Sequence, residues 1–402
     1  MTRDSVTAAF ERAHIISTHC HHLPDSFFAE DFGLVRLLQN SYAAWIPTGI
    51  AAEDIGRRLP DFLSRARHNS YFIWLQKALQ HIYGLDTPLS SETAALYDEA
   101  ICSAHADPAW HRKLMTEHCG YERVILDTYW SPGEDNGHPE LFAPTFRVDM
   151  FQHGYSEDAA DHNGVDCYRQ TGTKKPADID GFCAMMESAV AAHQRNGCVA
   201  LKMAYAYERT LECGRVSRDE ANAVFRSGDF GGREIRSFQD YIIREICCIA
   251  AERDIPLQIH TGLGQLSGTR AMGLKSLIAD NPDTKFVLFH IGYPWMEDIF
   301  ALVHNYANVY PDLCWLPLIS PAAAEYALAQ LLDIGSADKL FWGCDTWTGE
   351  ESFGALLAAR HVFSRVLEAR VAAGSTDAEG AAQVIEDVFH NNPKALYGFS
   401  TI

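Results

Sequence analysis

Four short apolar runs in this chain each end in a residue type that binds metals. His21 closes residues 14–21, His260 closes 255–260, His290 closes 285–290 and Asp345 closes 340–345. Two further runs end near Asp127 and Lys202. Parallel strands covered on both faces read as short, continuous apolar stretches. Polar residues that interrupt only the last position of such runs lie at one end of a common sheet. When that sheet closes into a barrel, the carboxyl ends of its strands form the face where chemistry takes place. The expected fold class is therefore α/β, a (β/α)8 TIM barrel. Imidazoles and carboxylates converging at its mouth are the ingredients of a divalent transition-metal site.

The spacing of the runs sets the domain plan. At 402 residues the chain exceeds the roughly 250 of a plain barrel. The first strand ends at His21, and the next candidate, Glu122 to Tyr129, begins about a hundred residues later, far beyond the usual two to six residues of a βα loop. Residues 1–402 are read as one barrel domain, with 31–118 a helical insertion and a candidate lid. Apolar residues at helical spacing predict a helix over Asp54 to Tyr83, and Ser90-Ser91-Glu92-Thr93 reads as a capping signature opening another through Ile101. The N-terminus to Ala13 reads as a short amphipathic helix. Further strands are expected at Leu141 to Met150, Cys198 to Tyr205 and Val309 toward Trp315, with helices over Glu350 to Ala373 and Ala378 to Phe389.

Charge and cysteine usage narrow the partners. A net charge of -20 argues against nucleic acid and anionic membrane, though not against a small anionic substrate. No apolar stretch approaches the ~20 residues of a membrane span. Eleven scattered cysteines without a CxxC pair suit a reduced, cytoplasmic protein. A homo-oligomer is expected.

His19-Cys20-His21 is the most specific local signal. Residues two apart on a strand face the same side, so both imidazoles can reach one ion, while Cys20 and His22 point away. Arg147 and Lys202 come from adjacent strands and could present positive charge to a carboxylate or phosphate, or be consumed by Asp127 and Asp149. Trp130, Trp295, Trp315 and Trp347 each follow a strand closely. They either stack on a substrate ring or pack the helical segment onto the barrel.

The motifs Thr18-His19-Cys20-His21, Ile259-His260-Thr261, Phe289-His290-Ile291, Gly343-Cys344-Asp345 and Asn391 to Tyr397 resemble the amidohydrolase superfamily, in its branch of metal-dependent hydrolases and aromatic-acid decarboxylases. The resemblance implies His19, His21, His260 and Asp345 as metal ligands, Asp345 and His290 as catalytic groups, and one divalent metal, Zn2+ or else Mn2+ or Fe2+. In this reading Asp345 carries the proton of an attacking water and His290 polarises a carbonyl. Lys202 occupies the strand where binuclear relatives carry a carboxylated lysine, and is expected here as a substrate or structural cation. Residues 202–209 are similar to the strand-four segment of nodulin-like amidohydrolases, which implies Tyr207 or Arg209 near the ligand; Arg147 and Trp347 are expected to contact it from their strand-end positions. The expected activity is hydrolysis of an amide, lactone or ester in a small, carboxylated molecule. Residues 18–24 and the long helical segment also resemble uronate isomerases, which makes sugar-acid isomerisation an alternative beside aromatic-acid decarboxylation. A non-enzymatic metal- or ligand-binding barrel is the remaining reading.

Overall fold

The computed structural model describes residues 2–227, 231–335 and 337–399. Seven parallel strands form one sheet in sequence order: β1 (Ile15–Cys20), β2 (Tyr121–Leu126), β3 (Phe142–Arg147), β4 (Ala200–Met203), β5 (Leu257–Ile259), β6 (Phe286–Phe289) and β7 (Val309–Asp312). Every residue of β1 and of β3 to β6 is buried, which is why their sequences lack polar alternation. Arg147 and Lys202 sit in register at the ends of β3 and β4.

The eighth run does not form the regular strand expected of it. Phe341 makes a single parallel bridge to Asp312, and residues 342–346 leave the ladder. The segment nonetheless joins both edges of the sheet. Phe341 N donates to Pro311 O (3.2 Å) on the β7 side, while Thr18 N donates to Trp342 O (3.2 Å) and Asp345 N to His19 O (2.9 Å) on the β1 side. Gly343 makes this approach possible, because a Cβ there would lie 2.6 Å from His19 N.

The chain between β1 and β2 is helical, as its spacing predicted, but differently divided. The helix read over Asp54 to Tyr83 is broken into a 3-10 turn and the helices Leu59–Ala66 and Ser70–Tyr83. Asn69 caps the latter by accepting from Tyr71 N (2.9 Å). The Ser90 to Thr93 signature forms a turn instead of a cap. Ser90 N donates to Thr93 Oγ1 (2.8 Å), consuming the side chain that would have met the helix amides, and the helix runs over Ala94–Ala104. These helices build their own apolar cluster around Leu37, Phe62, Phe72 and Tyr97, separate from the main core. The N-terminal helix is Thr2–Arg12, and the long helix after the last stave is Gly349–Ala372. No helix among the described residues is long and apolar enough to cross a membrane.

Candidate functional site

The floor of the site is built at the strand ends. His19 lies on β1 and His21 one residue past it, with ring centroids 4.7 Å apart. Cys20 between them is buried in the main core, and His22 stacks between Phe28, His111 and Phe142 on the other side. The His21 Nδ1–H donates to the Asp127 carbonyl (2.8 Å), which fixes the ring and turns Nε2 toward Asp345 Oδ1, 3.3 Å away. His19 Nε2 lies 3.6 Å from the same oxygen. Burial alone would push the Asp345 carboxyl up. The close contact with His21 and the neighbouring His290 and Lys202 reverse that and hold it at about 2.

A second histidine pair faces Asp345 from β5 and β6. His290 Nδ1 donates to the Cys314 carbonyl (2.9 Å) and sits 3.7 Å from Asp345 Oδ2. His260 Nε2 donates to the Leu263 carbonyl. Carbonyl oxygens can only accept, so each outer nitrogen carries the ring hydrogen. The inner nitrogens, His290 Nε2 and His260 Nδ1, then face each other at 3.0 Å. Burial lowers the pKa of both rings, His290 to about 4, so no shared proton is available at neutral pH. The inner nitrogens of His260 and His290 thus confront each other, and that of His21 confronts the Asp345 carboxylate, contacts that a cation between them would relieve. Donor atoms held at roughly 2.0–2.1 Å around a tetrahedral ion stand about 3.3–3.4 Å apart. The His19, His21 and Asp345 separations of 3.3 and 3.6 Å fit that spacing.

Backbone strain accompanies these positions. His290, Ile291, Trp315 and Asp345 all have φ between 48° and 62°. Non-glycine residues reach this region at a cost of order 1–3 kcal/mol each, and such strain concentrates at functional sites.

The cations on the floor are not free. Arg147 grips Asp127 through Nε to Oδ1 (3.3 Å) and Nη2 to Oδ2 (2.7 Å), and lies 3.9 Å from Asp149. Lys202 is buried, with Nζ 3.0 Å from His19 Nε2 and 3.7 Å from Asp127 Oδ2, and burial lowers its pKa. Beneath the floor Asp312 accepts from Thr18 Oγ1 (2.6 Å) and Cys314 N (2.8 Å), so it braces the carbonyl that orients His290. Burial pushes it up to about 7 despite these hydrogen bonds and the neighbouring Lys202.

Above the floor lies a cavity of about 250 Å³. Its walls come from Tyr42 and Trp45 of the helical segment, Tyr129 after β2, the loop residues His162 and Asn163, Tyr207 after β4, and Trp315 and Trp347. Glu208 holds the His162 loop by accepting from His153 Nε2 (2.6 Å), His162 N (2.7 Å) and His162 Nδ1 (2.8 Å).

Residues 167–399, more than half of the chain, match the family model for amidohydrolases. The chain belongs to the amidohydrolase family. Among curated proteins it is 31% identical over 175 residues to protein fluG of Emericella nidulans, covering 41% of this chain and 20% of that one. It is 23% identical over 278 residues to the uronate isomerase of Streptococcus uberis, covering 62% and 58%. The chain thus spans only a fifth to about three fifths of these relatives. Among solved structures, the glucuronate isomerase of Caulobacter crescentus superposes with a TM-score of 0.79 at 17% identity, covering 100% of this chain and 94% of that one.

In this amidohydrolase the residues anticipated from sequence fall into two groups. His19, His21, Arg147, Lys202, Tyr207, His260, His290, Asp345 and Trp347 all line the cavity. Arg209 does not. It turns away into the protein, donating to Gln239 Oε1 (3.2 Å), the Glu212 carbonyl (2.8 Å) and Asp240, so its expected contact with ligand is corrected. His290 also needs correction in role. Its Cys314 hydrogen bond presents a lone pair to the cavity, so the neutral ring accepts and cannot donate to a carbonyl. Two groups of side chains bring ligand atoms mutually within 4.8 Å among the described residues: His19, His21 and Asp127, and His290, Cys314 and Asp345. Sequence marks Asp127 as ending a strand run and as a possible ion-pair partner, but not among the metal ligands. Tyr42, Trp45, His162 and Asn163 carried no signal, because helices and loops present them without a strand-end pattern.

Proposed function

We propose that this amidohydrolase is a metal-dependent hydrolase of an amide, lactone or ester bond in a small carboxylated molecule. We read the fold as a (β/α)8 barrel whose β1–β2 connection is the insertion. The observation that carries the function is the placement of Asp345, with Oδ1 facing His21 and His19 and Oδ2 facing His290. A divalent ion, Zn2+ by donor type, would be held by His19, His21, His260 and Asp345. When bound it would acidify water and polarise a carbonyl. Asp345, ionised across the neutral range, takes the proton of the attacking water and returns it to the leaving group. His290, neutral and presenting Nε2, holds that proton's alternative position. Lys202 and Arg147 offset the negative charge of Asp127 and Asp345, so an anionic substrate can approach the floor.

A second reading is isomerisation of a sugar acid, favoured by the sequence likeness to uronate isomerases over 62% of the chain. Asp345 would then carry a proton between adjacent carbons. The test is to load the protein with Zn2+, confirm occupancy by elemental analysis, and incubate it in H2(18)O with lactones, N-acyl amino acids and uronates. Hydrolysis places 18O in the product. Isomerisation adds no water, leaves the carboxylate unlabelled, and in D2O exchanges a carbon-bound hydrogen. Turnover of uronates alone, to an isomer with an unlabelled carboxylate, would replace the hydrolase reading.

A further inference from the structure

Trp45 is 55% exposed, the most exposed large apolar side chain among the described residues, yet it lines the cavity. A half-exposed indole at a site mouth is the informative kind of exposure, because burying it against a partner gains free energy that the folded chain leaves unclaimed. The residue is also held still. It ends the 3-10 turn Tyr42–Trp45, whose first amide, Tyr42 N, donates to Glu351 Oε1 (2.6 Å) at the start of the helix that follows Asp345. Tyr42 is buried against Trp315 (4.7 Å, 21°) and Trp347 (4.9 Å, 63°), and Ala43 is buried in the helical cluster. The Trp45 ring leans on these same partners, 5.3 Å from Tyr42, 6.1 Å from Trp315 and 5.9 Å from Trp347. One side is thus braced and the other faces solvent at the mouth. A rigid aromatic surface of this kind binds with little loss of conformational freedom.

We propose that Trp45 is a substrate-recognition residue, and that the cavity takes a carboxylate borne on a ring whose face stacks against the Trp45 indole. This rests on the reading that the cavity is the substrate site, and it names the substrate class. The cavity of about 250 Å³ is below the 300–1,000 Å³ of drug-sized sites and accommodates a single substituted ring. Its charged groups lie on the floor and its mouth is lined mainly by rings, so the charged end points inward and the ring meets the aromatic mouth. Both an aromatic ring and a pyranose present such a face.

The experiment is calorimetric binding to Zn2+-loaded protein of two ring acids, benzoate and D-glucuronate, against two open-chain acids of equal charge, heptanoate and D-gluconate. At least one ring acid is expected to bind ten times more tightly than its open-chain counterpart. Preference for benzoate alone identifies an aromatic acid, and for D-glucuronate alone a pyranose. Trp45→Ala is expected to erase the preference while changing open-chain binding less than twofold, and Trp45→Phe to retain most of it. Trp45→Ala gives up the ring contacts with Tyr42, Trp315 and Trp347 and is expected to melt a few degrees lower while staying folded at the binding temperature, with Trp45→Phe between it and the wild type. Absence of ring preference in the wild-type protein, or its persistence in Trp45→Ala, overturns the proposal. Binding is read without turnover. Ring acids held through Trp45 by a protein that hydrolyses nothing would sink the hydrolase reading and leave this one standing.

Discussion

The floor and the mouth of the cavity are assembled by different physics. On the floor, His21, His260 and His290 are each fixed by donating to a backbone carbonyl of the sheet or its connecting loops. Their other nitrogens face one another or the Asp345 carboxylate. At the mouth, Tyr42, Trp45, Trp315 and Trp347 are fixed by ring packing, with few hydrogen bonds. Directional bonds allow one geometry, whereas apolar contacts tolerate exchange of one ring for another. The floor is accordingly where a single atom decides the chemistry, and the mouth is where substrate preference can change without loss of the reaction.

The largest expected effect tests the floor. Asp345→Asn keeps the shape of the side chain but removes the proton acceptor and the negative charge facing three histidines. Turnover is expected to fall by roughly a thousandfold, and bound Zn2+, measured by elemental analysis, to fall with it. A variant retaining a tenth of wild-type rate would remove Asp345 from the centre of the site and erase the distinction between floor and mouth.

A smaller effect divides the floor itself. His260→Ala removes a ligand and is expected to lower Zn2+ affinity by more than about a hundredfold, the most that losing a supporting partner costs, read by competition with a chelator. His290→Ala is expected to keep the ion while losing about a hundredfold in rate. Should both variants lose metal equally, the pair joined by the 3.0 Å contact acts as one ligand unit and His290 joins the ligand set.

Much of the floor was legible in sequence because a parallel strand must be apolar until it emerges. His260, His290 and Asp345 advertise themselves by ending such runs, and the spacing of His19 and His21 places both on one face. What escaped was relational. Sequence offered Arg147 either a substrate or an acidic partner without choosing Asp127, and nothing local says that Arg209, seven residues after Lys202, turns away toward Asp240. The last run satisfied the apolar rule but not the ladder, since the chain leaves regular geometry at residue 342 and brings Asp345 in at φ 56°. The mouth was nearly invisible. Trp315 and Trp347 stood out by following strands, but Tyr42 and Trp45 come from a helical connection whose docking depends on the long helix Gly349–Ala372 packing against Ser70–Tyr83. Gly354 permits that approach, since a Cβ there would lie 3.0 Å from Trp74 O.

The smallest effect concerns a part of the wall held by charge as well as packing, the loop that Glu208 grips. Glu208 is mostly buried, which would raise its carboxyl, but hydrogen bonds from His153 and His162 hold it at about 2, below its ordinary 4.5. A carboxylate whose pKa is depressed on folding stabilises the protein above its unfolded pKa, and that stability is lost as pH falls through the folded value. The contribution is therefore present above about pH 4.5 and disappears toward pH 2, with a size of order 2 kcal/mol after allowing for partial exposure. His153 is raised by the same contact despite its burial, so its share is present below about pH 6.5 and fades as pH rises through its folded value. Glu208→Gln keeps an acceptor for His162 N but removes the charge. It is expected to lose about 1–2 kcal/mol in urea unfolding at pH 6 and to flatten the decline between pH 4.5 and 2. An unchanged acid limb in the variant would mean that the His162 loop is held by packing after all, and that the wall is of one kind throughout.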